Sequence, residues 1–345
     1  MKRLTVSICC LAICFGACIK RESLKKPLEK LNVVEVAEVE KKAQDLYMEG
    51  KYADTVSNLK TLIAENPKNP KYWGELGSAY AQLDQFTYSE FAFKRAIELD
   101  PKNVKAMYNL SVVYSEHGND DEALKAVQKG LKVSPKNPLL QASLGNIMID
   151  KNKLDSAQTI YERIVKAKPD FGEAHYNLGV INLKKNNLEE AAKNYQAALA
   201  IKPDDLEAKE NLAAVYIMRQ DYANATTALL EVIKANPASD VTLENAYYNL
   251  GIVYMKTDNY EGALEVFEKA INIEPWDMAA YVNAAIMAEQ LGQYDKAEKY
   301  WKKYDRLLPV NKRKAQIKEK LEKFEEAKTG KSLRETATPE QPSAK

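Results

Sequence analysis

Apolar residues return along this chain in blocks of one length, with charged and amide residues between them. In the best-defined block, Trp73, Leu76 and Tyr80 are spaced by three and four residues, which places them on one face of a helix. Phe93 lies on a second helical segment, and the block ends at Pro101. Ala, Leu, Lys and Glu dominate the composition and favour helix. The pattern predicts pairs of short amphipathic helices.

Proline marks the length of each block. Prolines recur at intervals of 34 residues, with a single interval of 38, at Pro67, Pro101, Pro135, Pro169, Pro203, Pro237, Pro275 and Pro309. Each ends the second helix of a pair, because the residue before proline avoids the helical region and the ring supplies no N–H donor. Gly50, Gly118 and Gly292 suit a left-handed turn between paired helices. The chain therefore predicts eight copies of one helix pair.

This repeated unit resembles the tetratricopeptide repeat (TPR), in which Trp, Leu, Gly and Tyr lie on the first helix and Ala, Phe and Pro on the second. The seventh copy carries the signature at Tyr247, Leu250, Gly251, Tyr254, Ala263, Phe267, Ala270 and Pro275. The resemblance covers residues 36–311. It implies an all-α fold, a right-handed superhelical α-solenoid of eight TPR helix-turn-helix repeats with a C-terminal capping helix. The repeats are predicted at 36–69, 70–103, 104–137, 138–171, 172–205, 206–239, 244–277 and 278–311.

Two departures from the regular repeat predict local adjustments. The eighth copy has Ala284, Ala285 and Ala288 where Leu, Gly and Tyr are usual, and it has Trp301 and Tyr304 on its second helix. Volume lost from one helix thus returns on its partner. Four added residues precede the seventh copy, and they predict either an extended helix or a looser loop.

The chain after the last repeat divides into two segments. Between residues 312 and 328, Ala315, Ile317, Leu321 and Phe324 suit an amphipathic helix that caps the open end of the stack. Residues 329–345 lack a hydrophobic face and are predicted to be disordered.

Charge and motif content exclude several classes of function. The 50 basic and 49 acidic residues give a formal net charge of +1, which offers no argument for nucleic-acid binding. The chain has no Gly-rich phosphate loop, zinc-protease motif or nucleophile elbow. Of its two histidines, His175 falls in the Trp position of its repeat and His117 in a turn. We expect no catalytic residue, metal or cofactor, and we predict that the protein is not an enzyme and binds no nucleic acid.

All four cysteines lie in the first eighteen residues, within a pattern typical of a bacterial secretory signal. A basic start is followed by an apolar stretch over residues 4–15 and then by Gly16-Ala17-Cys18. Residues 15–18 resemble a lipobox. The resemblance implies a lipoprotein signal peptide over 1–17, lipidation of Cys18 and a lipid-anchored tether over 18–35. The alternatives are cleavage by the general signal peptidase, with Cys18 incidental, and an uncleaved anchor.

The residue after Cys18 bears on localisation. Ile19 occupies the position where Asp retains many lipoproteins at the inner membrane. Resemblance to sorted lipoproteins therefore implies an outer-membrane lipoprotein of the cell envelope that faces the periplasm.

Polar side chains recur one position before the Leu of the first helix. This position is asparagine in five copies, namely Asn109, Asn177, Asn211, Asn249 and Asn283, and tyrosine precedes it at Tyr108, Tyr176 and Tyr248. In related solenoids such a row binds the backbone of an extended peptide, since an amide offers both donor and acceptor. The resemblance thus implies a partner-binding groove. The alternative is that Tyr-Asn-Leu-Gly is only the common repeat sequence, with Asn in local bonds or bound to water.

Lys71 and Lys105 occupy one groove position in consecutive copies. They suit an acidic residue of a partner, and the alternative is ordinary solvated surface.

We interpret the chain as a membrane-anchored scaffold that binds a protein or peptide partner, with homo-oligomerisation through the end repeats left open. Its architecture resembles the lipoproteins that support type IV or tight-adherence pilus and secretin assembly. Two alternatives are an adaptor that recruits peptidoglycan hydrolases or synthases, and a chaperone-like holder of secreted clients. The fold by itself does not choose among them.

Overall fold

The computed structural model of the protein describes residues 33–235 and 240–309, together with residues 317, 319, 321, 322 and 324. Every regular element within these residues is an α-helix. The helices are α1 (Val33–Met48), α2 (Tyr52–Glu65), α3 (Pro70–Gln82), α4 (Phe86–Leu99), α5 (Val104–Glu116), α6 (Asp120–Val133), α7 (Pro138–Asp150), α8 (Leu154–Ala167), α9 (Gly172–Lys184), α10 (Leu188–Ile201), α11 (Leu206–Met218), α12 (Tyr222–Ala235), α13 (Asp240–Lys256), α14 (Tyr260–Ile273), α15 (Met278–Gln290) and α16 (Tyr294–Leu307). The predicted signal peptide, Cys18, most of the tether and the C-terminal tail lie outside the described residues.

The first helices of the pairs begin at side chains that accept backbone hydrogen bonds. Asn103 Oδ1 accepts from the Ala106 N–H at 3.0 Å, and Asp205 Oδ1 accepts from the Ala208 N–H at 3.1 Å. Such a residue satisfies one of the N–H groups that the first turn of a helix leaves without a partner. Polar residues two positions after the proline thus start these helices, whereas α9 begins after Phe171 without a side-chain cap.

One turn geometry joins the two helices of every pair. Gly50, Gly118 and Gly292 have φ of 74°, 71° and 69°, as the glycine pattern predicts. In the other five pairs the left-handed residue is Asp84, Asn152, Asn186, Gln220 or Asp258, with φ between 54° and 60°. Asp and Asn tolerate this region better than most side chains. The turn is therefore kept where glycine is absent.

Small residues let the paired helices approach closely. On the second helices they are fully buried at Ser89, Ala123, Ala157, Ala191, Ala225, Ala263 and Ala297. On the first helices glycine faces an aromatic ring of the second helix. A Cβ atom on Gly251 would lie 2.5 Å from Cε1 of Phe267, so only glycine leaves room for that ring.

The Trp position of the repeat has a polar role that its sequence pattern does not reveal. Trp73 Nε1 donates to the Pro67 carbonyl at 2.9 Å. Gln141 Nε2 donates to the Pro135 carbonyl at 2.9 Å, and His175 Nε2 lies 2.9 Å from the Pro169 carbonyl. Trp, Gln and His share an N–H at a similar reach. These side chains therefore tie the first helix to the proline that ends the preceding pair.

The chain divides into two compact units, residues 1–143 (unit 1) and 144–345 (unit 2), with the division inside α7. In unit 1 each helix from α1 to α6 packs against the next, and α3 also contacts α5. In unit 2 the same order holds from α8 to α16, and α11 also contacts α13. Each unit is a stack of helix pairs. The predicted all-α class, built as a TPR-like solenoid, is confirmed.

Three local features differ from the regular repeat. Helix α13 has 17 residues where α11 has 13, so the added residues extend a helix. Helix α1 begins at Val33, inside the segment expected as a tether, because the helical pattern of the first repeat continues backwards through Val34. In the eighth pair Trp301 is buried among the alanines of α15, which is the expected exchange of volume.

The end of unit 2 is covered by residues beyond α16. Ile317 and Phe324 are buried, and the Phe324 ring lies 6.0 Å from the ring of Tyr294. Both residues are helical, as are the other described positions between 317 and 324. Ala315 lies outside the described residues.

Among the helices that the structure describes, none has the length and apolar character needed to span a bilayer.

Candidate partner-binding surface

Side-chain hydrogen bonds connect the first helices of unit 2. Asn211 Nδ2 on α11 donates to Tyr176 Oη on α9 at 2.9 Å. Asn283 Nδ2 on α15 donates to Tyr248 Oη on α13 at 3.2 Å. Each bond joins the asparagine of one repeat to the tyrosine of the repeat before it. The bonds join α9 to α11 and α13 to α15, and α11 also contacts α13. We call the surface formed by these four helices the first-helix face of unit 2.

The other asparagines of the predicted row have different surroundings. Asn177 is half-buried and donates to the Glu173 carbonyl of its own helix at 3.1 Å. In unit 1, Asn109 Nδ2 donates to Ser78 Oγ at 3.3 Å. Asn249 is half-buried. The Asn177 bond is a local bond of the kind that the alternative interpretation describes, whereas the Asn109 bond joins adjacent repeats. The peptide-binding row stays a prediction.

Tyr176 is the centre of a chain of hydrogen bonds. It accepts from Asn211 and donates through Oη to Glu207 Oε1 at 2.6 Å. Burial, and after it the Glu207 carboxylate, raises the pKa of Tyr176, so the phenol stays protonated at neutral pH. The phenol therefore fixes the position of the Glu207 carboxylate on the surface.

The lysines predicted in unit 1 lie beside native carboxylates. Lys71 and Lys105 line one cleft together with Glu75 and Asn109. Burial raises the pKa of the Glu75 carboxyl, and the positive charges of Lys71 and Lys105 oppose that rise. Lys71 Nζ also lies 3.5 Å from Glu40. Part of the positive charge is thus balanced within the protein.

Tyr108 belongs to a neighbouring cleft of unit 1. It lines that cleft together with Asn109, Val112 and Glu116. The structure therefore brings Tyr108 and Asn109 to one surface, whereas in unit 2 the equivalent tyrosines bond the asparagine of the next repeat.

Carboxylates of unit 2 are the surface residues that sequence reasoning missed. Glu173 and Glu207 line one cleft with Tyr176 and Asn177. Partial burial in this cleft raises the pKa of the Glu173 carboxyl, although the residue as a whole stays exposed to solvent. A signal was present in the sequence, because Glu173 and Glu207 stand five residues before the repeat Leu, as Lys71 and Lys105 do in unit 1.

Two carboxyl groups, those of Glu244 and Asp277, meet at the start of α15. Burial raises the pKa of Glu244 to about 7, and Asp277, hydrogen-bonded to Glu244, adds to the rise. Asp277 accepts from the backbone N–H groups of Ala279 at 2.8 Å and Ala280 at 3.1 Å. The helix start therefore holds Asp277 in place beside Glu244.

His117 lies in a turn and packs against its neighbours. The His117 ring packs at 4.3 Å from the ring of Phe86, and its Nδ1 lies 2.9 Å from the Val113 carbonyl. In the part of the chain that the structure describes, no group of three or more His, Cys, Asp or Glu side chains is arranged to hold a metal ion.

Comparisons with known proteins agree with the repeat pattern. Models of the tetratricopeptide repeat match residues 70–103, 92–125, 143–205, 186–240 and 244–277. The Photosystem I assembly protein Ycf3 of Rippkaea orientalis is 29% identical over 107 residues, which are 26% of this chain. The match spans 60% of the length of that relative.

Solved structures share the fold at low sequence identity. A tetratricopeptide repeat protein from Parabacteroides merdae is 18% identical, with 73% of this chain and 98% of that chain covered and a TM-score of 0.56. The Cut9–Hcn1 hetero-tetramer of the APC/C is 14% identical, with 85% of this chain and 57% of that chain covered and a TM-score of 0.57. PilF of Pseudomonas aeruginosa is 13% identical, with 64% of this chain and 97% of that chain covered and a TM-score of 0.55.

The repeat models together cover more than half of the chain, and the helix pairs of both units follow the same signature. Such repeats mediate protein–protein interaction. The chain belongs to the tetratricopeptide-repeat family.

Proposed function

We propose that this protein is a membrane-anchored scaffold of the cell envelope that binds a segment of a partner protein on the first-helix face of unit 2. The observation that carries the proposal is the pair of Asn–Tyr bonds across successive repeats, extended by the bond from Tyr176 to Glu207. These bonds hold polar side chains in fixed positions on consecutive helices. A surface that is ordered before binding loses less side-chain entropy when a partner binds.

Membrane anchoring is supported by the sequence before the first repeat. The basic start, the apolar stretch and Cys18 match a lipoprotein signal. Two or three acyl chains at one cysteine are enough for stable attachment, whereas one chain is marginal. The absence of Asp after Cys18 favours the outer membrane, with the repeats in the periplasm.

Support of pilus or secretin assembly is the cellular role that we propose first. It rests on the combination of a lipoprotein signal with a tetratricopeptide solenoid. The likeness to PilF, at 13% identity, is evidence for the fold alone. Two other roles, recruitment of peptidoglycan enzymes and holding of secreted clients, are distinguished from it by the experiment described next.

The test is crosslinking of the tagged full-length chain in the membrane fraction, followed by identification of the captured proteins. We expect the triple variant N177A/N211A/N249A to lose most of the capture. The matched control is N194A/N224A, on the second helices α10 and α12, which we expect to capture normally. Circular dichroism checks that helix content is unchanged.

The captured proteins separate the three roles. Secretin or pilin subunits support the first role, murein enzymes the second, and a heterogeneous set of secreted proteins the third. Capture that the triple variant leaves unchanged, with normal helix content, contradicts partner binding on the first-helix face.

A further inference from the structure

Carboxylates occur on three consecutive first helices of unit 2. Glu173 lies on α9, Glu207 and Glu210 on α11, and Glu244 on α13. Glu173 and Glu207 line the same cleft, although these two residues come from different repeats. The structure thus gathers negative charge along the surface on which we propose that a partner segment binds.

Among the described residues, no lysine or arginine forms an ion pair with these four carboxylates. Burial raises the pKa of the Glu210 carboxyl, a hydrogen bond with Asn245 opposes the rise, and the charge of Glu207 adds to it. The charged groups that act on Glu244 after burial are Asp277, Glu274 and Glu210, and all of them raise its pKa. Each carboxylate would be stabilised by a nearby positive charge, and such charge is what a partner can supply.

Two lysines near these carboxylates form ion pairs with other acidic residues. Lys209 Nζ on α11 lies 2.6 Å from Glu231 on α12. Lys202, which lines the cleft of Glu173 and Glu207, lies 3.1 Å from Asp205. Neither lysine is therefore paired with a carboxylate of the first-helix face.

A buried hydroxyl beside the cleft also has no hydrogen-bond partner in the described structure. In the preceding repeat Tyr161 Oη donates to Asn146. The position of Asn146 is Val180 in the next repeat, and Tyr195 Oη is left buried and unbonded. The Tyr195 ring packs edge-on against Tyr176 at 5.8 Å, and the charge of Glu207 contributes to raising the Tyr195 pKa. The unbonded Tyr195 hydroxyl is thus buried next to Tyr176, which lines the cleft.

We infer that the partner segment is basic, and that the first-helix face of unit 2 binds an extended peptide carrying lysine or arginine side chains. This inference rests on the proposed function and specifies the chemistry of its partner. The carboxylates follow one another along successive helices, and in the described residues they do not converge into a metal site. The first helices of successive repeats lie within reach of side-chain hydrogen bonds, and an extended chain rises about 3.3 Å per residue. Cationic side chains about three residues apart therefore match successive carboxylates.

The probe is a fluorescein-labelled dodecapeptide with arginine at every third position and alanine or serine elsewhere. Two further peptides carry glutamine or glutamate in place of arginine. We expect the arginine peptide to bind the full chain at least about tenfold more tightly than the glutamine peptide. We also expect its affinity to fall as the salt concentration is raised. The glutamate peptide is expected not to bind.

The variant E173Q/E207Q is expected to weaken binding of the arginine peptide about tenfold. The amide that E207Q introduces retains an oxygen that accepts from Tyr176, so the hydrogen-bond chain is preserved. The matched control E190Q/E261Q removes the same charge from the second helices α10 and α14 and is expected to bind normally.

Equal binding of the arginine and glutamine peptides overturns the inference. Equal weakening by both double variants overturns it as well, because the attraction is then unspecific. If the arginine peptide fails to bind while the asparagine triple variant still loses partner capture, the partner is not basic and the scaffold function stands. If neither effect is seen, both proposals are wrong.

Discussion

At the scale of single residues, different side chains at one position of the repeat make the same hydrogen bond. The sequence pattern assigns bulk to the Trp position, which would make Gln141 a weak point of its repeat. The structure shows that Trp73, Gln141 and His175 each bring a side-chain nitrogen to the proline carbonyl six residues earlier. Because this hydrogen bond spans only six residues, a donor at the Trp position could have been recognised from the sequence. The Trp of the repeat signature instead suggested that the position is defined by side-chain volume.

Glu244 is the residue whose charge state we expect to affect stability most visibly. Its pKa is about 7 in the folded protein and 4.5 as its usual value, because it is half-buried beside Asp277. A carboxyl with a raised native pKa destabilises the fold when ionised. The penalty is absent below about pH 4.5, grows as the pH rises to about 7, and is constant above that.

We therefore expect E244Q to raise the thermal midpoint at pH 8 and to change it little at pH 4. Glu244 remains partly exposed, so solvent screening limits the gain in unfolding free energy to about 1 kcal/mol or less. Thermal denaturation followed by circular dichroism at the two pH values measures this, with exposed E261Q as the control. A gain of the same size at both pH values is inconsistent with the pKa of Glu244 as its origin.

At the scale of elements, close packing inside each helix pair depends on glycine facing a ring. The contact of Gly251 with Phe267 recurs as Gly77 with Phe93, and Gly179 with Tyr195. In each case a Cβ atom would lie under 3.0 Å from the ring carbons. Rings held between two helices have little space to move, since protein cores are close-packed.

We expect G251A to lower the free energy of unfolding by about 1–3 kcal/mol, the usual cost of overpacking. Gly74 is the matched control because it is also inside a first helix, but no atom lies within 4 Å of a Cβ built there. G74A is expected to be neutral or to stabilise by up to about 1 kcal/mol, since alanine favours helix over glycine. Urea denaturation compares the two variants. Equal effects would show that helix propensity, and not packing against Phe267, decides the outcome.

At the scale of the whole molecule, the last pair of unit 2 needs a cover. Phe324 is 8% exposed and belongs to the cluster of Ala284, Ala288 and Trp301. The end of a repeat stack exposes an apolar face unless a further segment covers it. Residues beyond α16 therefore contribute to the stability of the repeats.

We expect F324A to lower the unfolding free energy by about 2–4 kcal/mol, near the lower range for loss of a buried phenylalanine. The comparison is E322A, whose exposed carboxylate should matter by less than about 1 kcal/mol. Denaturation with circular dichroism detection gives both values. A phenylalanine variant as stable as E322A would mean that the covering segment is dispensable.

The sequence by itself determined the all-α class, the helix pairs and their turns. Helix periodicity, proline and the left-handed turn residue act within a few positions of the chain, so they are legible without coordinates. It also pointed to the asparagines and tyrosines of the first helices, although it did not indicate which of them bond each other. Asn211 and Tyr176 are 35 residues apart, and only packing of neighbouring repeats brings them to 2.9 Å.

Only the tertiary structure decided which glutamates have a raised pKa. A glutamate at a repeat position is ordinary surface in sequence, as the pairing of Glu190 with Lys193 illustrates. Glu173, Glu210 and Glu244 differ because the packing of adjacent repeats partly buries their carboxyl groups. Burial and electrostatic coupling depend on three-dimensional surroundings that no local pattern encodes.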